Sequence, residues 1–260
     1  MLILTPVKNA GSFLDRYFEL LYRLTYPAAL ISVAFLESDS EDNTLQDLQA
    51  RLPGLRERFR RADLFHKNFD FRRSQDTPRW TPALQLKRRT ILARSRNYLL
   101  SRALDEEDWV LWIDVDLVEY PADIIERLLA PGKEIVQPHC VNSATGETFD
   151  LNAWRDRGRR HMDNLEREGD LVKLHAVGGT MLLVKADVHR EGLVFPTFLY
   201  GKRSPLIRAD NGMVKRREIR KRLRGEHCGE IETEGLGIMA YDMGYECWGM
   251  PHVKITHWDG

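Results

Sequence analysis

Short apolar runs separated by longer amphipathic stretches set the rhythm of the chain. LILTPV (Leu2–Val7) is the first such run, and Ser12 is placed to cap a helix on which Leu14, Phe18 and Leu21 recur at helical spacing. LISVAFLE, from position 30 to 37, predicts a buried strand, SDSEDN its polar exit, and Leu45, Leu48 and Leu52 the inner face of the next helix. A third strand is expected over 62–69. Thr81-Pro82 then looks like the N-cap and first turn of a long helix reaching about Leu104. WVLWI (Trp109–Ile113) is apolar at every position, as a central parallel strand covered on both faces would be.

The second half is less regular. Pro121 begins a helix to about Ala130, EIVQPHC reads as a strand, and DLVKLHAVGGTMLLVKAD reads as two strands either side of a Gly178-Gly179 turn. ETEGLGIMAYDMG predicts a helix ended by Gly244, and ECWGMPHVKITHW an extended closing segment. The sum is an α/β fold, a mostly parallel central sheet with helices on both faces.

Composition changes this picture little. With 260 residues and 43% hydrophobic content the chain can bury one sizeable core, so a single domain is expected. Lys+Arg and Asp+Glu are both 39, so global charge points to neither nucleic acid nor an acidic partner. The exception is local: ten Lys/Arg lie between Lys202 and Arg224 against Asp210 and Glu218. No aromatics alternate with them, so the stacking platform of a single-stranded nucleic-acid binder is missing. A solvated helix, a mobile lid over donor phosphates, or a patch for anionic lipid or acceptor are the readings left for 201–229. Cys140, Cys228 and Cys247 suggest neither a disulfide framework nor a thiolate zinc site.

The chemistry concentrates where WVLWI ends. Asp114 and Asp116 follow it, and in extended backbone positions i and i+2 point the same way, at the C-terminal end of a strand where α/β sheets place their ligands. Either Asp114 caps a turn and Asp116 is solvated, or the two form a pincer for a cation. Hard oxygen ligands suit Mn²⁺ or Mg²⁺, whose shell is commonly completed by substrate phosphates, and a nucleoside diphosphate is the natural complement.

These residues also carry a resemblance. TPVKNAGSFLDRYF, ESDSEDNT, ARSRNYLLSRAL, WIDVD, AVGGTMLLVKADVHREG, ETEGLGIMAYDMGY and GMPH with His257 span nearly the whole chain in order. Together they resemble nucleotide-sugar glycosyltransferases of the GT-A fold, and more closely the fungal mannan-polymerase mannosyltransferases of glycosyltransferase family 62. The resemblance implies one GT-A domain over 1–260, with a nucleotide-binding half over 1–120 and an acceptor half over 121–260. It implies GDP-mannose as donor, a glycan or glycolipid as acceptor, Mn²⁺ or Mg²⁺ as cofactor, retention of configuration, and a homo- or hetero-oligomer. The fungal proteins also have a membrane anchor and stem, which this sequence does not show. A cytoplasmic location, with peripheral membrane contact through 201–229, is therefore expected, and a Golgi lumen only if an anchor belongs to a longer chain.

Roles follow residue by residue. Pro6, Val7 and Lys8 would lie along the nucleoside, chiefly through backbone, with an exposed lysine the plain alternative. Asp39 would accept from a base or ribose edge, or else cap the helix near Asn43. Arg94 and Asn97 are three apart on one helical face, so an arginine fork could hold a diphosphate or Asp114 while Asn97 orients it. Lys87, Arg88 and Arg89 read as a solvated face. The family pattern makes His257 a metal ligand beside Asp116 and Asp114, while His252 is read as supporting a ligand from behind or as packing. Glu232 and Glu234 either cap a helix start through its dipole or bind the acceptor hydroxyl and take its proton. Gly178 and Gly179 would let backbone approach the donor sugar, or simply form a hairpin turn. With no evident nucleophile, a front-face path assisted by the leaving phosphate is preferred to a covalent intermediate on Glu232 or Glu234. The remaining function classes are a non-catalytic carbohydrate-binding or scaffold subunit and a metal-dependent nucleotidyltransferase or phosphohydrolase.

Overall fold

A computed structural model describes residues 1–71, 82–201 and 229–258. The basic stretch, apart from its two terminal glycines, and the Thr81 cap fall outside them. β1 (Leu2–Val7), α1 (Gly11–Tyr22), β2 (Ser32–Glu37), α2 (Thr44–Arg58) and β3 (Arg61–His66) form two β-α units with the strand that follows, and α3 (Pro82–Ala103) leads into β4 (Trp109–Ile113). β5 (Leu117–Glu119), α4 (Ile124–Leu129), β6 (Ile135–Asn142), α5 (Met162–Leu165), β7 (Val172–Leu174), β8 (Met181–Lys185) and α6 (Ala186–Arg190) follow. α7 (Glu232–Asp242) and β9 (Cys247–His257) complete the order.

The sheet runs β3-β2-β1-β4-β8-β6-β9-β5, with β7 against β9. Its N-terminal half is parallel, as expected. β8 then runs antiparallel to both β4 and β6, and β5 and β7 run antiparallel to β9, so the sheet as a whole is mixed. The segments flanking Gly178-Gly179 are not a hairpin: β7 pairs with β9, whereas β8 crosses to β4 and β6.

Strict alternation explains the continuous apolar strands. Ile3, Val33, Leu111 and Ile113 face one core with Leu14, Phe18, Leu21 and Leu48 of the first two helices. Leu2, Leu4, Ala34, Val110 and Trp112 face the other with Ala93, Leu99 and Leu100 of α3 and Leu236 and Ala240 of α7. A strand covered on both faces has no position left for a polar side chain until it ends. α1 starts without a side-chain cap of its own; instead Thr44, from the start of α2, accepts the Ala10 N–H at 2.7 Å. No helix among the described residues is long and apolar enough to cross a membrane.

Candidate active site

Functional side chains gather where β1, β2, β4 and β9 end. After Ile113 the backbone leaves the extended form and turns over Val115 and Asp116, so the two-residue alternation that would aim both aspartates the same way no longer applies. The carboxylates stay neighbours but take different partners, and the expected symmetric pincer is absent.

Asp114 faces inward. Its Oδ1 accepts from Arg96 Nη2 at 3.0 Å, and its backbone N–H donates to Thr180 O at 2.9 Å. Burial pushes the Asp114 carboxyl up to about 6; Arg96 opposes the rise and Asp116 adds to it. Arg96 is itself buried. Its Nε donates to Glu232 Oε1 at 3.1 Å and its Nη2 also to Gly179 O at 3.2 Å, while Nη1 has no hydrogen-bond partner among the described residues. The guanidinium lies over the rings of Trp112 and Phe195, which supply a cation–π surface. Burial alone would lower the Arg96 pKa, but Asp114 and Glu232 hold it above the usual value.

Asp116 faces His257. Nε2 of the imidazole is 3.0 Å from Asp116 Oδ1, and Nδ1 donates to Trp258 O at 2.6 Å. The ring is stacked on Phe149 with centroids 3.7 Å apart, and the Trp258 N–H donates to Asp116 O at 3.1 Å. Burial would lower the His257 pKa; the Asp116 carboxylate overrides it and holds the imidazole above its ordinary value. The Nδ1 bond commits Nε2 to whatever sits beside Asp116.

This pair fits a hard divalent cation. Adjacent ligands of an octahedral ion at roughly 2.1 Å are separated by about 3.0 Å, the spacing observed between Nε2 and Oδ1. Cation binding would displace the proton they share. The expected third ligand does not join them: among the described residues no group of three His, Cys, Asp or Glu converges on a metal position. Asp114 is turned to Arg96 instead, so phosphate or water oxygens would have to complete the shell.

The arginine expectation needs correction. Arg94 is exposed, whereas Arg96 reaches Asp114. Asn97 does not orient it; its amide clamps the Phe195 backbone, donating to Phe195 O and accepting from Phe195 N at 2.8 Å each. Arg89 is not part of a solvated face, since it binds Glu234 Oε2 at 2.6 Å and the Ile231 carbonyl at 2.6 Å. Glu232 opens α7 with a positive φ of 60° and is held by Arg96 and by its neighbour Thr233. Glu234 accepts from Trp154 Nε1 at 2.5 Å.

On the nucleoside side, Pro6 and Val7 end β1, and Val7 O accepts the Ser38 N–H. Lys8 Nζ donates to Phe71 O at 2.6 Å. Asp39 caps neither α2 nor its own loop: with φ at 54° it accepts from the backbone N–H groups of Phe69 and Asp70, tying the β2 exit to the β3 exit. Asp42 does the capping, accepting the Thr44 N–H at 3.0 Å. His252 is exposed and meets Glu166 O, away from the pair.

Asp150 escaped the sequence reading. Its Oδ2 accepts from Gly179 N, Thr180 N and Thr180 Oγ1 at 3.0 to 3.2 Å, while Gln137 Oε1 accepts from Gly178 N at 2.7 Å. The glycines are therefore needed for close approach: a Cβ on Gly178 would lie 1.9 Å from Asp150 Oδ2, and one on Gly179 2.6 Å from Arg96 Nη2. Gly178→Ala is expected to cost about 1–3 kcal/mol through overpacking. The melting temperature should fall by roughly 2–4 °C for each kcal/mol lost. An unchanged melting temperature would show that Asp150 yields freely.

Comparison with known proteins agrees with this architecture. A profile of the Anp1 family matches residues 1–167 and 156–199. The chain belongs to the Anp1 family. The mannan polymerase II complex anp1 subunit of Schizosaccharomyces pombe is 30% identical over 99% of this Anp1-family chain and 63% of its own length. The Anp1-family chain thus spans less than two thirds of that relative. Among solved structures, the mannosyltransferase PcManGT from Pyrobaculum calidifontis, in complex with GDP-Man and Mn²⁺, superposes with a TM-score of 0.55 at 16% identity, covering 98% of this chain and 56% of its own. GalNAc-T7 with UDP, GalNAc and Mn²⁺ gives 0.60 at 12% identity over 99% and 43%. At these identities the likeness establishes the fold, which is GT-A.

Proposed function

We propose that the chain is a metal-dependent retaining α-mannosyltransferase that moves mannose from GDP-mannose to a sugar hydroxyl. The observation that carries this is the Asp116–His257 pair at the exit of β4, spaced for a divalent cation and backed by the Arg96–Asp114 contact. Family membership and a neighbour whose structure holds GDP-Man and Mn²⁺ support it.

Asp116 and His257 would hold Mn²⁺ or Mg²⁺, which when bound neutralises diphosphate charge as it develops on the leaving group. Asp114, kept in place by Arg96, would face the donor sugar. Pro6, Val7 and Lys8 at the end of β1 and Asp39 at the end of β2 would wall the nucleoside. Gly178 and Gly179 are buried, with their N–H groups satisfied by Gln137 and Asp150, and would let Asp150 and Arg96 pack close beneath the sugar rather than touch it themselves. Glu234 is the more open of the two helix-start carboxylates and would face the acceptor. Glu232, with 5% of its side chain exposed and Arg96 against it, serves as a counterion. Both carboxylates being charge-paired favours the front-face path, since neither is left as a free nucleophile.

The same observation favours one other reading, a donor-binding subunit whose own turnover is low, in keeping with the complex-subunit names of the relatives. In that case the chain would bind donor without transferring sugar by itself.

The test is thermal denaturation with nucleoside diphosphates, with Mn²⁺ or with EDTA. GDP at 100 times its dissociation constant should stabilise by about 2.7 kcal/mol, and most of that should vanish in EDTA. Absence of a metal-dependent shift with every nucleoside diphosphate would refute the donor site, and GDP binding without mannosyl transfer would favour the subunit reading.

A further inference from the structure

A second concave site lies along β9 from the Asp116–His257 pair. The lining of a cavity of about 260 Å³ includes His139, Thr148, Leu151, His161, Glu166 and Lys254, together with Glu147 and Asp163. His139 and Lys254 are register partners on β6 and β9 and so share one face of the sheet. Asn142 and His257, three residues further along the same two strands, are also partners, with their side chains on the opposite face. At about 3.3 Å per residue the cavity is roughly 10 Å from the histidine along the strand.

The segment that walls the cavity also builds the active site. Thr148 pairs with Val141 and bonds His139, whereas Phe149 stacks on His257 and Asp150 anchors Gly179 and Thr180. Beyond Leu151 the chain reaches Ala153, whose carbonyl meets His161 Nδ1 at 3.3 Å, and Trp154, whose indole binds Glu234. The cavity is thus connected through a few residues to the carboxylate proposed to face the acceptor.

Its lining selects a ligand class. His139 is buried, and burial lowers its pKa, so the ring is neutral. Nδ1–H donates to Pro251 O at 3.2 Å, leaving Nε2 to accept from Thr148 Oγ1 at 2.9 Å. The threonine oxygen keeps acceptor capacity for a ligand hydroxyl. Glu147, Asp163 and Glu166 outnumber Lys254, which disfavours an anionic ligand, and no three of the acids converge as metal ligands among the described residues. Leu151 is 58% exposed, an apolar surface for the C–H face of a sugar ring. Clustered carboxylate and hydroxyl acceptors, an ammonium donor and one apolar contact match a neutral, hydroxyl-rich saccharide.

We propose that this cavity is a subsite for a neutral saccharide, holding a distal sugar of an oligosaccharide acceptor while its terminal hydroxyl reaches the donor site. The proposal rests on the mannosyltransferase reading for the word acceptor, but the binding itself does not require catalysis. Leu151→Asp and Glu166→Gln change exposed or half-exposed side chains and should fold normally.

The experiment has two arms. In the first, saturation-transfer NMR detects α-mannotriose binding in EDTA without nucleotide; binding is expected for the unchanged chain and about tenfold weaker for each variant, the scale of one lost contact. In the second, KM for mannotriose as acceptor should rise about tenfold in the variants while kcat, KM for methyl α-mannoside and the GDP-dependent thermal shift stay put. Mannotriose binding that both variants leave unchanged, or equal KM changes for mannotriose and methyl α-mannoside, would overturn the subsite. A failed GDP shift alongside variant-sensitive mannotriose binding would refute the transferase reading and leave the saccharide site standing.

Discussion

Alanine at Asp116 or at His257 is expected to abolish mannosyl transfer, lowering kcat by at least about 10²–10³-fold, the scale of removing one preorganised electrostatic contact, and to erase the difference between Mn²⁺ and EDTA in GDP binding. Each residue holds the other. Asp116 Oδ1 stands 3.0 Å from Nε2, and the imidazole is fixed by Trp258 O on one side and by the Phe149 ring on its face. Losing either leaves one first ligand, too few to place a cation that demands near-octahedral geometry. The two changes should be far from additive, because they remove one site rather than two contributions. Circular dichroism and melting temperature distinguish this from unfolding. Full activity with His257→Ala would make the histidine a structural partner of Asp116 and move the cation elsewhere.

Arg96→Leu should produce the largest loss of stability. The side chain bridges Asp114, Glu232 and Gly179 O, and both its own exposure and that of Glu232 are 5%. Truncation strands a buried carboxylate, which costs about 3–5 kcal/mol. Arg96→Lys retains charge but not the fork that serves several acceptors at once, so it should recover only part. Pairing Arg96→Leu with Glu232→Leu removes both charges and should restore much of the loss, although activity would stay low because Asp114 remains unsupported. Urea denaturation of the four proteins checks this. A cost below about 1 kcal/mol for Arg96→Leu would mean that Glu232 reaches water in the folded protein.

The two α3 arginines show how much of the site was legible beforehand. Arg94 and Asn97 share a helical face, which made Arg94 attractive. The apolar positions argue for the other arginine: Ala93, Arg96 and Leu100 are spaced by three and four residues, and Ala93 and Leu100 both lie in the core. Arg96 is the polar member of a buried stripe, and an arginine there must find acids. That signal was present in the chain. Asp150 carried no comparable signal, for its meaning depends on Gly179 and Thr180 arriving 29 and 30 residues later on a strand that crosses to β4.

The sequence by itself determined the local elements and the end of the sheet that carries the chemistry. WVLWI could only be a strand covered on both faces, and the first polar residue after it, Asp114, marks where that cover stops. The start of α7 at Glu232 was likewise written into ETEGLGIMAYDMG. Tertiary structure decided the pairing of charges. The turn after Ile113 splits the two aspartates between an arginine from α3 and a histidine at the end of β9, and β8 crosses to β4 and β6 where a turn between neighbouring strands was the plain reading. Periodicity reports which side of its own element a residue occupies, but a buried charge is satisfied by whatever partner the fold brings within about 3 Å, and these partners come from 18 and 141 positions away along the chain.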